Sequence, residues 1–236
     1  DTRSINKLTG ISLTFSLLAA AIVFGICAAF PEQLLKIFTT SSEIIEQGQI
    51  YLNILKWTFI LFLISNLLIS MLRSVETVQI SFIVSVVSLI VNGGMNYTLI
   101  FGHFGFPEMG IKGAAIGTLA ARSLEFFIVI FYVLKIDKKV RVFQGGLFRE
   151  TFSAANRKLW TDFIKVSCPV ILSGMIWAVS VPMQTAILGH LSADAIAANS
   201  VATTFFQYLK VIVVAVSSAS SVAIGKFIGQ GNRSEV

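Results

Sequence analysis

Residues 80–101 read ISFIVSVVSLIVNGGMNYTLIF and contain no Asp, Glu, Lys or Arg. A helix needs about 20 mostly apolar residues to cross a hydrocarbon layer about 30 Å thick, and this stretch meets that requirement. Further apolar runs of similar length cover approximately residues 8–30, 51–72, 111–134, 163–188 and 197–224. The sequence therefore predicts an all-α integral membrane protein with about six transmembrane helices.

The composition agrees with this prediction. Of the 236 residues, 55% are hydrophobic and only 13% are charged, whereas soluble domains carry about 25% charged residues. The formal net charge is +6, but the Lys and Arg residues collect in particular loops instead of forming one basic face. We interpret them as topology signals in a protein whose partner is the lipid bilayer and not a nucleic acid.

A strongly basic connection divides the chain. Residues 135–162 contain Lys and Arg at seven positions and a helically spaced apolar pattern that is typical of a short helix lying on the membrane surface. We predict four transmembrane helices in residues 1–134, a cytoplasmic loop with an amphipathic helix in 135–162, and two transmembrane helices in 163–236. Because Lys and Arg near helix ends stay on the cytoplasmic side, the chain is predicted to be a multi-pass cell-membrane protein with both of its ends cytoplasmic.

Two asparagines mark the third predicted helix as a candidate site. Asn92 and Asn96 lie four residues apart, so their amides leave the same helix face about one turn apart. They offer oxygen ligands for a cation or hydrogen-bonding groups for a substrate. The alternative is that they only join neighbouring helices by hydrogen bonds. Spacing alone leaves both interpretations open.

Charged residues inside the predicted membrane helices form a second group of candidates. Arg122 and Glu125 are three residues apart, which predicts an ion pair within one helix. In the alternative interpretation, Glu125 exchanges Arg122 for a proton or a sodium ion. Lys210 lies near the middle of the last helix, three residues after Gln207. We expect Lys210 to pair with an acid from another helix, to line a wet cavity, or to reach the membrane surface.

Other motifs point away from catalysis. Pro169 and Pro182 interrupt the fifth predicted helix, where each removes a backbone hydrogen bond and favours a kink or hinge. The sequence has no nucleotide-binding glycine loop, zinc-binding HExxH pair or nucleophile elbow. We therefore predict that the protein is not an enzyme, holds no cofactor and binds no metal beyond a sodium ion at Asn92 and Asn96.

Several of these stretches also carry a resemblance to a known family. Their glycine, proline and alanine patterns, in this order and spacing, resemble the multidrug and toxic compound extrusion (MATE) family. The stretches are Leu72 to Ser74, Asn92 to Tyr97, Ile100 to Gly102, Gly105 to Pro107, Met109 to Thr118, Pro169 to Trp177, Leu188 to Leu191, Ala197 to Ala198, and Gly225 to Gly231.

The resemblance implies a fold and a transport cycle. Members of that family have about twelve helices in two six-helix lobes, and they exchange sodium ions or protons for organic cations. On that plan the predicted helices correspond to helices three to eight. The chain would then be an internal piece of a two-lobed transporter, with the missing helices of the same transporter and a small organic cation as its partners.

The resemblance also implies roles for individual residues. Asn92, Asn96 and Thr118 match positions that form a cation or proton site in the first lobe of some relatives. Asn96 stands where some of them carry Asp, and the Asp that they place in helix one lies outside these residues. Many relatives have a Glu at the position of Gly174, which favours the first lobe as the coupling site here.

The predicted function is therefore a secondary antiporter that exports amphipathic organic cations or drugs in exchange for sodium ions or protons. One alternative is a flippase of the same superfamily that moves lipid-linked sugars, which would need a cavity with several Arg and Lys residues. The other alternative is a membrane scaffold without a transport cycle, in which every buried polar residue is structural.

Overall fold

The computed structural model describes residues 2–36, 42–137, 157–189 and 193–230. All regular structure in these residues is helical. The helices are α1 (Thr2–Ala29), α2 (Pro31–Lys36), α3 (Ser42–Ser74), α4 (Gln79–Phe101), α5 (Gly110–Phe131), α6 (Arg157–Gly189) and α7 (Ala193–Gly229), with a 3-10 turn at His103–Gly105 and a π turn at Tyr132–Ile136.

Five of the described helices are long and apolar enough to cross a membrane. The candidate spans are Asn6–Ala29, Ser42–Ser74, Gln79–Phe101, Leu159–Val181 and Ala198–Gly229. The predicted run at residues 111–134 is helical as well, as α5, and it carries Arg122 and Glu125. The all-α membrane class predicted from the sequence is therefore confirmed.

Several helices begin earlier than the apolar runs do. Helix α3 begins at Ser42 and α6 at Arg157, where the runs begin near residues 51 and 163. The apolar pattern marks only the part of a helix that hydrocarbon surrounds, and polar turns continue the same helix beyond it. Residues 157–162 of the predicted surface helix are thus the first turns of α6, and its remaining part in residues 138–156 lies outside the described residues.

The chain divides into two compact units, Asp1–Asn156 and Arg157–Val236. In the first unit α5 packs against α3 and α4, and α1 packs against α3. An apolar core fills this bundle, and Leu72, Val84 and Val129 are almost completely buried in it. In the second unit, large apolar side chains of α6 and α7 such as Val170 and Leu209 are exposed, as expected of helices whose solvent is lipid.

Glycines bring α4 and α5 into close contact. Gly102 ends α4 in the left-handed conformation, with φ of 69°, which glycine adopts without strain. Across the connection, a Cβ atom at Gly113 would lie 2.6 Å from the backbone oxygen of Leu99. A Cβ atom at Gly117 would lie 2.5 Å from Oδ1 of Asn96. Small residues thus allow the backbones to approach, as in other membrane helix pairs.

Both prolines predicted as kink positions lie within α6, which is helical from Arg157 to Gly189. Their role as a hinge stays a prediction.

The contact at Gly113 should be sensitive to a single added methyl group. Replacing Gly113 by Ala forces the new Cβ against backbone atoms of Leu99, and overpacking of this kind costs about 1–3 kcal/mol. The matched control is Gly25→Ala in α1, where no atom lies within 4 Å of the added Cβ. We expect thermal unfolding in detergent, followed by size-exclusion chromatography, to show a lower midpoint for Gly113→Ala and an unchanged or higher midpoint for Gly25→Ala. Equal midpoints would contradict the close α4–α5 packing.

Candidate functional site

A polar pocket of about 600 Å³ lies in the first unit between α3, α4 and α5. We call it the charged pocket. Four residues predicted from the sequence, Asn92, Thr118, Arg122 and Glu125, are among those that line it. The other lining residues are Phe62, Asn66, Ile69, Arg73, Ser81, Ser85, Ser88, Leu89 and Ala121.

Asn92 and Asn96 are in direct contact. Nδ2 of Asn96 donates a hydrogen bond of 3.2 Å to Oδ1 of Asn92. Oδ1 of Asn96 is buried, accepts no hydrogen bond from the described residues, and occupies the space that a side chain at position 117 would fill. Of the two asparagines, the described lining of the charged pocket includes Asn92 and not Asn96. Buried polar atoms normally find a partner, because leaving one unsatisfied costs about 1–3 kcal/mol. This amide oxygen therefore keeps an unused acceptor capacity within the described part of the chain.

Thr118 approaches the same region from α5. Its hydroxyl donates a 2.9 Å hydrogen bond to the backbone oxygen of Ala114. Because the single hydroxyl proton is used in this way, the lone pairs of Oγ1 can serve as ligands. Among the described residues, no group of three His, Cys, Asp or Glu side chains comes together.

The predicted pair of Arg122 and Glu125 is present. Nη1 of Arg122 lies 2.6 Å from Oε2 of Glu125, and the carboxylate side chain is 8% exposed against 36% for the guanidinium. Sequence reasoning missed two further partners from neighbouring helices. The hydroxyl of Ser88 donates a 3.4 Å hydrogen bond to the same carboxylate oxygen, and the ring of Phe62 lies 4.8 Å from Cζ of Arg122. The guanidinium thus has both a charged and an aromatic partner.

The other two candidates from the predicted membrane helices, Gln207 and Lys210, lie in the second unit. Nζ of Lys210 lies 3.2 Å from the ring centroid of Trp177 in α6, and the side chain of Gln207 is exposed. The sequence predicted an acid or water as the partner of Lys210 and missed this cation–π contact. The feature of the sequence that could have predicted this contact is the Trp about half-way along the preceding helix. An aromatic face lowers the cost of an ammonium group in an apolar medium by about 2 kcal/mol.

Comparisons with known proteins agree with the fold. The MatE family model matches residues 1–98 and 169–236. Curated relatives carry the name probable multidrug resistance protein NorM. One from Rhizobium meliloti (strain 1021) is 29% identical over 186 residues, which cover 77% of this chain and 38% of the relative.

Two further relatives with the same name cover more of the chain. The protein from Bacillus thuringiensis subsp. konkukian is 26% identical over 218 residues, 89% of this chain and 47% of its own length. The protein from Agrobacterium fabrum is 23% identical over 233 residues, 98% of this chain and 48% of its own length. The chain thus spans less than half the length of these relatives.

The contact between Lys210 and Trp177 should appear as an energetic coupling. We expect a double-mutant cycle of Lys210→Met and Trp177→Leu, measured by reversible unfolding in mixed micelles, to give a favourable coupling of about 0.5–2 kcal/mol. Phe205→Leu provides the matched control, since it removes an exposed aromatic ring of α7, and its coupling to Lys210→Met should be close to zero. A cycle with no coupling for Trp177 would show that the ring does not stabilise the ammonium group.

Proposed function

The chain belongs to the MatE family, and we propose on that premise that it forms part of a secondary antiporter that exports amphipathic organic cations or drugs. The exchanged ion is sodium or a proton. The names of its relatives, probable multidrug resistance proteins, support export of drugs as the overall activity. Its helices make it a multi-pass membrane protein, and we propose that both of its ends are cytoplasmic.

The observation that carries the proposal is the buried Oδ1 of Asn96, which accepts no hydrogen bond from the residues that the structure describes. An oxygen that accepts no hydrogen bond inside a membrane bundle raises the free energy of the empty state. A sodium ion, which takes oxygen ligands, or a protonated group relieves this cost on binding. Asn92, Asn96 and Thr118 would form the protein side of that site, and the resemblance implies that an Asp from another helix completes it.

The proposed mechanism couples binding to helix packing. Oδ1 of Asn96 lies against Gly117 of α5, so a ligand that draws this amide into a new position changes how α4 contacts α5. Binding then favours one of two bundle arrangements by its differential affinity for them. In a two-lobed transporter of about twelve helices, such a change in the first lobe would rock the lobes about a central cavity.

The charges of the described residues favour a cationic cargo over a lipid-linked sugar. A flippase for an anionic lipid would need several unengaged Arg and Lys residues in its cavity. Here the guanidinium of Arg122 pairs with Glu125, and the ammonium of Lys210 lies over Trp177. Arg122 and Lys210 therefore each have a partner within their own unit.

The organisation of the whole chain follows from the same proposal. Residues 1–134 would form the end of the first lobe, residues 135–162 a basic cytoplasmic connection between lobes, and residues 163–236 the start of the second lobe. The division of the structure at Asn156 and Arg157 falls inside the proposed connection.

Thr118→Val and Asn96→Leu should separate a transporter from a scaffold. In cells that produce the whole transporter containing these residues, we expect each to reduce the initial rate of ion-driven ethidium efflux by about tenfold, equivalent to about 1.4 kcal/mol of lost ion binding, while the folded yield is retained. Thr98→Val is the matched control, because Thr98 makes the same hydrogen bond to a backbone oxygen four residues earlier in α4. The efflux rate of the Thr98→Val variant should stay within twofold of the rate of the unsubstituted protein, because substitutions away from special structural features usually have small effects.

The opposite pattern identifies the scaffold. If the parent protein shows no ion-dependent efflux and Asn96→Leu lowers its yield or its association with other membrane proteins, the asparagines are structural and the antiporter proposal is wrong.

A further inference from the structure

A stripe of polar side chains runs along one face of α4. Ser81, Ser85, Ser88 and Asn92 follow one another at intervals of four, three and four residues, which places them on one side of a helix. All four line the charged pocket. The opposite side of the helix carries apolar residues, and Ile83 and Ile90 are 52% and 67% exposed there. Helix α4 therefore has one side suited to water and another suited to lipid.

The charged pocket extends from the α3–α4 turn to the candidate cation site. At a rise of 1.5 Å per residue, the segment from Ser81 to Asn92 is about 16 Å long. Arg73, one residue before the end of α3, lines the pocket near the turn, and Thr118 lines it near Asn92. A polar space of about 600 Å³ has room for many waters, since each occupies about 30 Å³ in the liquid. The pocket thus has the length and polarity of an ion path.

Glu125 lies part-way along this path. Its carboxylate contacts Ser88 of α4 and Arg122 of α5. The charged groups that line the same pocket are Arg73 from α3 and Arg122 from α5, and α4 contributes hydroxyls and the amide of Asn92. Arg122 is the cation that the described residues place beside Glu125. A buried carboxylate that loses its cation is strongly destabilised, so Arg122 leaves Glu125 when another cation takes its place.

Arg122 has a second partner to which it can remain attached. Its guanidinium lies 4.8 Å from the Phe62 ring, and its side chain is far more exposed than that of Glu125. It can therefore separate from the carboxylate by a small movement while the ring continues to stabilise its charge. This arrangement differs from a fixed structural ion pair, in which both charges would be buried together.

We propose that the charged pocket is the aqueous path by which the coupling cation leaves the site at Asn92 toward the Arg73 end, and that the cation binds Glu125 on the way by displacing Arg122. The proposal rests on the antiporter function and adds to it a route and a second binding residue. Arg122 acts as an internal cation that occupies Glu125 whenever the coupling cation is absent. With sodium, one cation replaces another at the carboxylate; with a proton, an O–H bond forms on Glu125 and the Arg122 guanidinium is released from the neutral carboxyl group.

Cysteine labelling tests the path without requiring transport. In a background with Cys27→Ala and Cys168→Ala, Ser81→Cys, Ser85→Cys and Ser88→Cys are exposed to a charged, membrane-impermeant methanethiosulfonate in inside-out vesicles. The matched controls are Ile83→Cys and Ile90→Cys on the opposite side of α4. Because the thiolate is the reactive form and needs water, we expect the serine positions to react at least about tenfold faster than the controls. Equal rates at both sets of positions would overturn the aqueous path.

The role of Glu125 is tested by the response of that labelling to ions. The labelling rate of Ser88→Cys is measured against sodium at fixed pH and against pH without sodium, each with Glu125 and with Glu125→Gln. Displacement of Arg122 should change the rate by about threefold or more with one of the two ions, and Glu125→Gln should abolish the change. The Glu125→Gln variant is measured at each pH as well. The pH dependence of the cysteine's own reactivity is the same in both proteins, so it cancels in the comparison. Glu125→Asp, which keeps the charge, should restore the response.

The outcomes distinguish this inference from the proposed function. A response to sodium identifies sodium as the cation bound at Glu125, and a response to pH alone identifies the proton. If the rate responds to neither ion, or responds equally in Glu125→Gln, the displacement of Arg122 is wrong. If the labelling pattern and the ion response are present but efflux is absent, the proposed export function fails while the ion path stands.

Discussion

The close approach of α4 and α5 is the contact on which the rest of the first unit depends. In lipid, helices associate through packing and hydrogen bonds and gain little from burying apolar surface. Gly113 and Gly117 provide that packing, because a Cβ atom at either position would overlap Leu99 or Asn96. The resulting register places Oδ1 of Asn96 against α5 and brings the Ser88 hydroxyl to the Glu125 carboxylate. The same pocket contains Asn92, Thr118 and the pair of Arg122 and Glu125.

The intramembrane charges are organised by the same physical constraint. Hydrocarbon cannot solvate an ion, so each charge in the slab needs a partner or water. The Glu125 carboxylate contacts the Ser88 hydroxyl and the Arg122 guanidinium, and that guanidinium also contacts the Phe62 ring. Lys210 is placed over an indole. Partners of this kind hold a cation without fixing it permanently.

The sequence predicts the class of fold well and the contacts between helices poorly. Apolar runs locate the membrane helices because lipid imposes their length, and the Arg122–Glu125 pair follows from spacing within one helix. Ser88, Phe62 and Trp177 were missed as partners, since contacts between helices depend on how each helix is rotated about its axis. Local spacing gives no measure of that rotation. The early start of α6 at Arg157 was missed because polar turns carry no apolar signal.

The contact between Asn96 and Gly117 also limits how this protein can evolve. With 2.5 Å between Oδ1 of Asn96 and a Cβ atom at position 117, a larger residue at 117 fits only if position 96 becomes smaller or its amide turns away. Contacting residues of this kind do not change independently in their effects on stability. Positions 96 and 117 therefore form a pair: a larger residue at 117 fits with a smaller residue at 96 or with a turned Asn96 amide, which would move the oxygen away from α5.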